Sequence, residues 1–233
     1  LLKLEGLFAA DGILTTRYGL RRRVSQQKMM ATICSALSSN KGALVEACTG
    51  TGKTYAYLFP AAEFICHRRS QGQNPRVVIS TATRNLQDQL SHEDFPVLAQ
   101  LYPQVKFFTW KGASNYLCLN RLERAASKKS ALSEEAAHLW EMQSDLNELE
   151  SGLRDELPHT VTDELWSEIC GSTPACCKPS ERHRCYKRHA FHRARESDIL
   201  CLNHALTASL GLYAGLLHPA MPGPEETLLI LDE

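Results

Sequence analysis

Apolar positions along the chain follow two rhythms. Arg76-Val77-Val78-Ile79-Ser80, Asp198-Ile199-Leu200-Cys201-Leu202-Asn203 and Leu228-Leu229-Ile230-Leu231-Asp232-Glu233 are short aliphatic runs with polar ends. Such runs predict strands of a parallel sheet. Ala43-Leu44-Val45-Glu46-Ala47 also reads as a buried strand, and Val105-Lys106-Phe107-Phe108-Thr109 as another. Elsewhere the apolar spacing is helical. Met29, Met30, Ile33 and Leu37 fall on one face of a helix over 26–38, with Ser25 as its N-cap. A helix is expected from Thr54 to Arg68, kinked or shortened at Pro60, and another begins over Asn85–Leu90. Residues 1–24 are a weakly patterned lead-in, and 69–75 a polar loop. The α/β rhythm stops over 111–195, apart from an acidic helical stretch at about 132–150, and resumes at 198. The pattern is an α/β domain carrying an insert.

Composition changes this picture little. The 233 residues are 43% hydrophobic and 22% charged with zero formal net charge, which is ordinary for a globular protein. No stretch has the length and apolarity of a membrane span, and no signal peptide is visible, so a cytoplasmic setting is expected. Net neutrality hides asymmetry: residues 133–168 hold eleven Asp/Glu and one basic residue, whereas 178–195 hold seven Lys/Arg and one acid. A basic lobe beside an acidic one suits a polyanion on one face, or equally two solvated helix surfaces.

The strongest chemistry lies in Ala47-Cys48-Thr49-Gly50-Thr51-Gly52-Lys53-Thr54. This matches the phosphate-binding loop, in which glycines let backbone N–H groups turn inward around phosphate oxygens. Lys53 is placed to reach the β/γ-phosphates and the Thr54 hydroxyl to coordinate Mg²⁺. The aliphatic run ending in Asp232-Glu233 reads as a Walker B strand, delivering Asp232 to the Mg²⁺ shell and Glu233 to the attacking water. Gln26 can donate and accept at an adenine edge. Thr81, Thr83 and Arg84 follow a strand end, where open α/β sheets gather ligands; a nucleic-acid backbone or simple helix capping by Thr83 fits equally.

Five of nine cysteines, Cys118, Cys170, Cys176, Cys177 and Cys185, lie in the insert. Four thiolates can hold a structural Zn²⁺ or an iron–sulfur cluster, and the spacing does not separate the two. The other four, Cys34, Cys48, Cys66 and Cys201, read as small core residues.

Taken in order, these motifs resemble the iron–sulfur superfamily 2 DNA helicases, the XPD/DinG/YoaA family. Arg23-Val24-Ser25-Gln26-Gln27-Lys28-Met29 is similar to the family's adenine-reading Q-motif, and Glu46–Thr54 to its motif I. Ile79–Leu90 resembles motif Ia, which meets single-stranded DNA in the family. Lys111-Gly112-Ala113-Ser114-Asn115-Tyr116-Leu117-Cys118 is similar to the segment bearing the first cluster cysteine, with Ala113 where the family usually has Arg. Cys185, Ala194-Arg195, Asp198-Ile199 and Asn203-His204 resemble the fourth cysteine and the return to the motor, and Leu231-Asp232-Glu233 the start of the DEAH box.

The resemblance implies a RecA-like motor domain, a parallel sheet with helices on both faces, over 1–110 and 196–233. A small, mostly helical iron–sulfur domain would interrupt it over 111–195. It implies ATP, Mg²⁺ and a [4Fe–4S] cluster on Cys118, Cys170, Cys176 and Cys185, with Cys177 as substitute for Cys176. It implies 5′-to-3′ movement on single-stranded DNA and unwinding of forked duplexes in repair or replication, in a bacterial cytoplasm near the nucleoid. The rivals are a P-loop ATPase with a zinc insert and a nucleic-acid-binding module without turnover. These 233 residues alone are expected to bind ATP weakly and not to unwind.

Overall fold

The computed structural model describes residues 6, 11–20, 23–48, 50–127, 133–141, 146, 149–157, 160–172, 183–213 and 226–232. It divides into two compact units. The first comprises Leu1–Thr109, Ser197–His204 and Pro222–Glu233, the second Trp110–Glu196 and Ala205–Met221.

The first unit is built on a four-stranded sheet. Its strands are β1 (Arg76–Thr81), β2 (Phe107–Thr109), β3 (Ile199–Asn203) and β4 (Thr227–Asp232), in the spatial order β2-β3-β1-β4. All pairings are parallel, with Ile79 opposite Cys201 on one side and Ile230 on the other. Central β1 and β3 are buried almost throughout, which is why they read as unbroken apolar runs. Helices flank the sheet: α1 (Ile13–Tyr18), α2 (Val24–Ser38), α3 (Lys53–Ser70), α4 (Arg84–Gln89) and α5 (Phe95–Leu101), with a π-helical turn at Leu90–Asp94 joining the last two. Val77, Ile79, Ile199 and Cys201 meet Phe59, Ala62 and Ile65 of α3, Met30 of α2 and Leu98 of α5 in one interior.

Four expectations change. The lead-in contains α1, whose Leu14 is fully buried. Helix α2 begins at Val24, after Arg23, so Ser25 lies inside the helix and does not cap it. Helix α3 runs unbroken through Pro60 to Ser70. An interior proline costs about 3 kcal/mol, but Phe59 and Ile65 on either side are fully buried and hold both halves in place. Residues 43–47 form no strand: they pair with none of the described strands, and Leu44 stands fully exposed. An aliphatic run becomes a strand only where a neighbour supplies a hydrogen-bonded ladder, and among the described strands β4 ends the sheet.

The N-terminal edge of the sheet is stitched by Asp198. Its carboxylate takes an ion pair from Arg69 and accepts the Lys106 N–H at 2.8 Å. Its main chain receives the Val77 N–H (2.8 Å) and donates to the Lys106 carbonyl (2.8 Å), aligning the starts of β1, β2 and β3.

The second unit carries α6 (Leu119–Ala126), α7 (Ser133–Glu141), α8 (Asp163–Ile169), α9 (Tyr186–Glu196) and most of α10 (His204–Tyr213). Leu122, Ala136, Leu139, Leu165 and Ile169 are fully buried within it. Isolated antiparallel bridges join Tyr116 to Leu153 and Leu117 to Cys170. Among the described residues no helix is long and apolar enough to cross a membrane.

Candidate nucleotide site

The phosphate-loop residues lead directly into α3. Gly50 and Gly52 adopt left-handed backbone (φ 75° and 81°), and Gly52 caps the helix that begins at Lys53. The turn is closed by Thr51, whose hydroxyl donates to the Cys48 carbonyl at 2.8 Å. Ala47 is half-buried and Cys48 exposed; Thr49 lies outside the described residues. An 18-residue helix starting here turns the positive end of its dipole to the loop. Glycine is required at 52 for a second reason. A Cβ there would run into the Gln26 side-chain amide. Gln26 is buried, and its Nε2 donates to the Gly52 carbonyl at 2.9 Å, so Gln26 is fastened to the loop in this structure.

Strand β4 brings Asp232 to the same helix. The Asp232 Oδ2 accepts the Tyr57 hydroxyl at 2.8 Å. Tyr57 lies one helical turn beyond Lys53 and Thr54, on their side of α3. Burial first, and the Asp232 carboxylate second, push the Tyr57 phenol well above its ordinary range, so it stays a donor. Glu233 lies outside the described residues.

At the end of β1, Thr81 stands in register with Asp232 and Asn203. Its side chain is fully buried, whereas Thr83 and Arg84 are exposed. Thr83 caps α4, its Oγ1 accepting the Leu86 N–H at 3.3 Å. Beneath this edge the Cys201 thiol is buried, which pushes it up to about 12. It is an inert core thiol.

In the second unit two of the cysteines, Cys118 and Cys170, share one backbone seam. The Cys118 N–H donates to the Ile169 carbonyl and the Gly171 N–H to the Tyr116 carbonyl, both at 2.8 Å, which sets Cys118 beside Cys170. Cys185 precedes α9, and Lys187 of that helix reaches the Gly171 carbonyl at 3.1 Å. Cys118 and Cys170 are buried and Cys185 half-buried; Cys176 and Cys177 lie outside the described residues. Thiolates are the right donors for iron–sulfur or zinc. Among the described residues, though, no three His, Cys, Asp or Glu side chains are grouped to hold a metal ion. Arg188, His189, His192, Arg193 and Arg195 are exposed along α9, and Arg193 faces Glu150 at 3.6 Å.

A left-handed glycine loop opening a helix beside a parallel sheet suits nucleotide binding, and a family comparison narrows which kind. The DEAD/DEAH box helicase profile matches residues 23–164, more than half of the chain. The chain belongs to the DEAD/DEAH box helicase family. Among curated relatives, the ATP-dependent DNA helicase DinG of Photobacterium profundum is 30% identical over 91% of this chain and 32% of its own length. The ATP-dependent helicase DinG of Mycobacterium tuberculosis is 31% identical over 95% of the chain and 35% of its own. The ATP-dependent DNA helicase DinG of Escherichia coli is 28% identical over 91% and 31%. The chain spans about a third of the length of these relatives.

Within this helicase domain, sequence reasoning missed two contacts. Tyr57 reads from sequence as one more apolar position of α3, and its partner Asp232 lies 175 residues away. The bond from Gln26 to Gly52 is equally nonlocal, although a glycine that must stay free of a Cβ was already marked by the loop pattern.

Proposed function

We propose that this chain is the first motor domain of an ATP-dependent DNA helicase, moving 5′ to 3′ on single-stranded DNA and opening forked duplexes. The observation that carries the reading is the left-handed glycine loop opening α3, with Asp232 held against the next turn of the same helix. Lys53 would meet the β/γ-phosphates, with Thr54 and Asp232 holding Mg²⁺ and Glu233 orienting the water. Bound Mg²⁺ supplies charge that offsets the negative charge of the phosphates. Backbone N–H groups from Ala47 to Thr54 would cradle the phosphates, and Gln26 would read adenine through its amide. Exposed Thr83 and Arg84 would grip the DNA backbone without reading sequence, as would the basic residues of α9 in their own unit. Buried Thr81 would act from its main chain. Residues 111–195 would carry a [4Fe–4S] cluster on Cys118, Cys170, Cys185 and either Cys176 or Cys177; the seam that sets Cys118 beside Cys170 suits two of these ligands. The setting would be a bacterial cytoplasm, near the nucleoid, in repair or replication.

The test uses the whole protein, purified anaerobically. ATP turnover is expected to rise on adding single-stranded DNA and to fall about 100-fold or more in Lys53→Ala, with thermal stability unchanged. Iron and acid-labile sulfide at about four each, lost in Cys118→Ser, would complete the reading. Turnover indifferent to DNA would leave a P-loop ATPase, and zinc in place of iron would make the insert structural. DNA binding without turnover would leave a binding module.

A further inference from the structure

The Tyr57 hydroxyl is the feature of the nucleotide site that the motifs do not account for. It is buried at 4% exposure, and a buried phenol O–H requires a partner. The partner here is one particular atom, Oδ2 of Asp232, at 2.8 Å. Asp232 ends an edge strand, beyond which the chain has no ladder neighbour among the described strands. A carboxylate there has two free side-chain torsions, and it is half-exposed. Hydrogen-bonding one oxygen to a helix that is itself locked into the core removes that freedom. The anchor is also in the right place. Tyr57 sits four residues after Lys53 and three after Thr54, so the helix turn that would carry the magnesium-side hydroxyl also carries the donor.

We propose that Tyr57 is a positioning residue for magnesium: its hydroxyl clamps Asp232 Oδ2, which would leave Oδ1 as the oxygen available to a cation that Thr54 would also hold. The proposal rests on the ATPase reading above. Hydrogen bonds to ligating carboxylates commonly carry about 10- to 100-fold of metal affinity. Loss of the hydroxyl alone is expected to raise the Mg²⁺ midpoint by about tenfold.

The experiment is a Mn²⁺ and Mg²⁺ titration of the whole protein with a fluorescent ADP analogue, followed by fluorescence and by the Mn²⁺ resonance signal. Wild type, Tyr57→Phe, Asp232→Asn and the double variant are compared, with circular dichroism as the fold check. The expected result is a midpoint about tenfold higher in Tyr57→Phe, unchanged binding of nucleotide in EDTA, and no further effect of Tyr57→Phe in the Asp232→Asn background. A purely structural role for Tyr57 would shift binding with and without metal alike, whether Asp232 is intact or replaced, and would overturn the proposal. A tighter midpoint in Tyr57→Phe would make the bond a competitor of the metal and would also overturn it.

Should Tyr57→Phe not fold, ring-labelled tyrosine in the Tyr57-intact protein reads the same bond. Its Tyr57 resonance must move on Asp232→Asn, and an unmoved resonance overturns the proposal. Wild type that binds no nucleotide in Mg²⁺ overturns the ATPase reading, whereas wild type that binds with the same midpoint as Tyr57→Phe overturns the clamp alone.

Discussion

The two units are held together differently. In the first, strands brought together from residues 76–81, 107–109, 199–203 and 227–232 share an aliphatic interior with α2, α3 and α5. The stabilising term is apolar area removed from water, spread over many side chains. In the second, polar side chains grip main-chain atoms across short helices and single bridges. Arg121 donates to the Glu168 and Ser167 carbonyls and to Ser172 Oγ. Trp166 reaches the Ser114 carbonyl at 3.0 Å, and Arg154 the Val161 carbonyl at 2.6 Å. The Glu156 carboxylate accepts the Ser151 and Gly152 N–H groups. The first unit is specified mainly by bulk and register, whereas the second adds many side-chain-to-main-chain bonds to its own apolar interior. Damage to the first should therefore be global and damage to the second local.

The largest effect is expected in the first unit. Phe59 is fully buried in the middle of α3, its ring centroid 5.8 Å from that of Tyr55 and 6.2 Å from that of Tyr102. Phe59→Ala should cost about 3–5 kcal/mol and lower the whole unfolding transition. Hydrogen exchange should then speed up together in β1, β3 and α3. The contrasting change is Arg121→Ala, expected to cost about 1–2 kcal/mol through the three lost acceptors. Exchange should accelerate at the Cys118 and Gly171 amides, which cross the same seam, while Val77 and Ile199 stay protected. Acceleration spreading into the sheet would break the distinction between the units.

The same difference explains what could be read in advance. β1 and β3 were legible because both faces of a central parallel strand are apolar, and that needs no knowledge of the partner; β4 shows the same aliphatic run, although Leu229 and Leu231 are exposed at the sheet edge. Residues 43–47 have the same appearance, yet a strand is a property of its neighbours, and Leu44 is exposed. Helix α3 was legible in extent but not in its passage through Pro60, where burial outweighs a local penalty. The phosphate loop is a local motif, so its glycines and Lys53 could be placed from eight residues. Tyr57 to Asp232, Gln26 to Gly52 and Arg69 to Asp198 join residues 26 or more apart, and no local pattern announces them. In the second unit the cysteine cluster is conspicuous, but the bonds that set Cys118 beside Cys170 are main-chain bonds and carry no residue signature.

The smallest effect sharpens the contrast, because it comes from a polar group placed in the apolar unit. Asp94 closes the π-helical turn and is 3% exposed, with Oδ2 lacking a hydrogen-bond partner. Burial raises its carboxyl to about 6, the hydrogen bond with Tyr55 works in the opposite direction, and neighbouring Glu93 adds to the rise. The folded state therefore prefers the protonated acid. A raised folded value means that this contribution is complete below the ordinary carboxylate range near pH 4 and is lost as pH climbs through about 6. Wild type should lose on the order of 1 kcal/mol from this group between about pH 4 and about pH 7.5, read from urea midpoints at constant ionic strength. Asp94→Asn keeps the shape and cannot ionise. It should flatten that part of the profile, leave stability at the acid end nearly unchanged, and make the protein more stable than wild type at the alkaline end. A variant less stable at the alkaline end would show that the ionised carboxylate, held by Tyr55, is a stabilising element of the turn, one more directed bond beside those of Asp198.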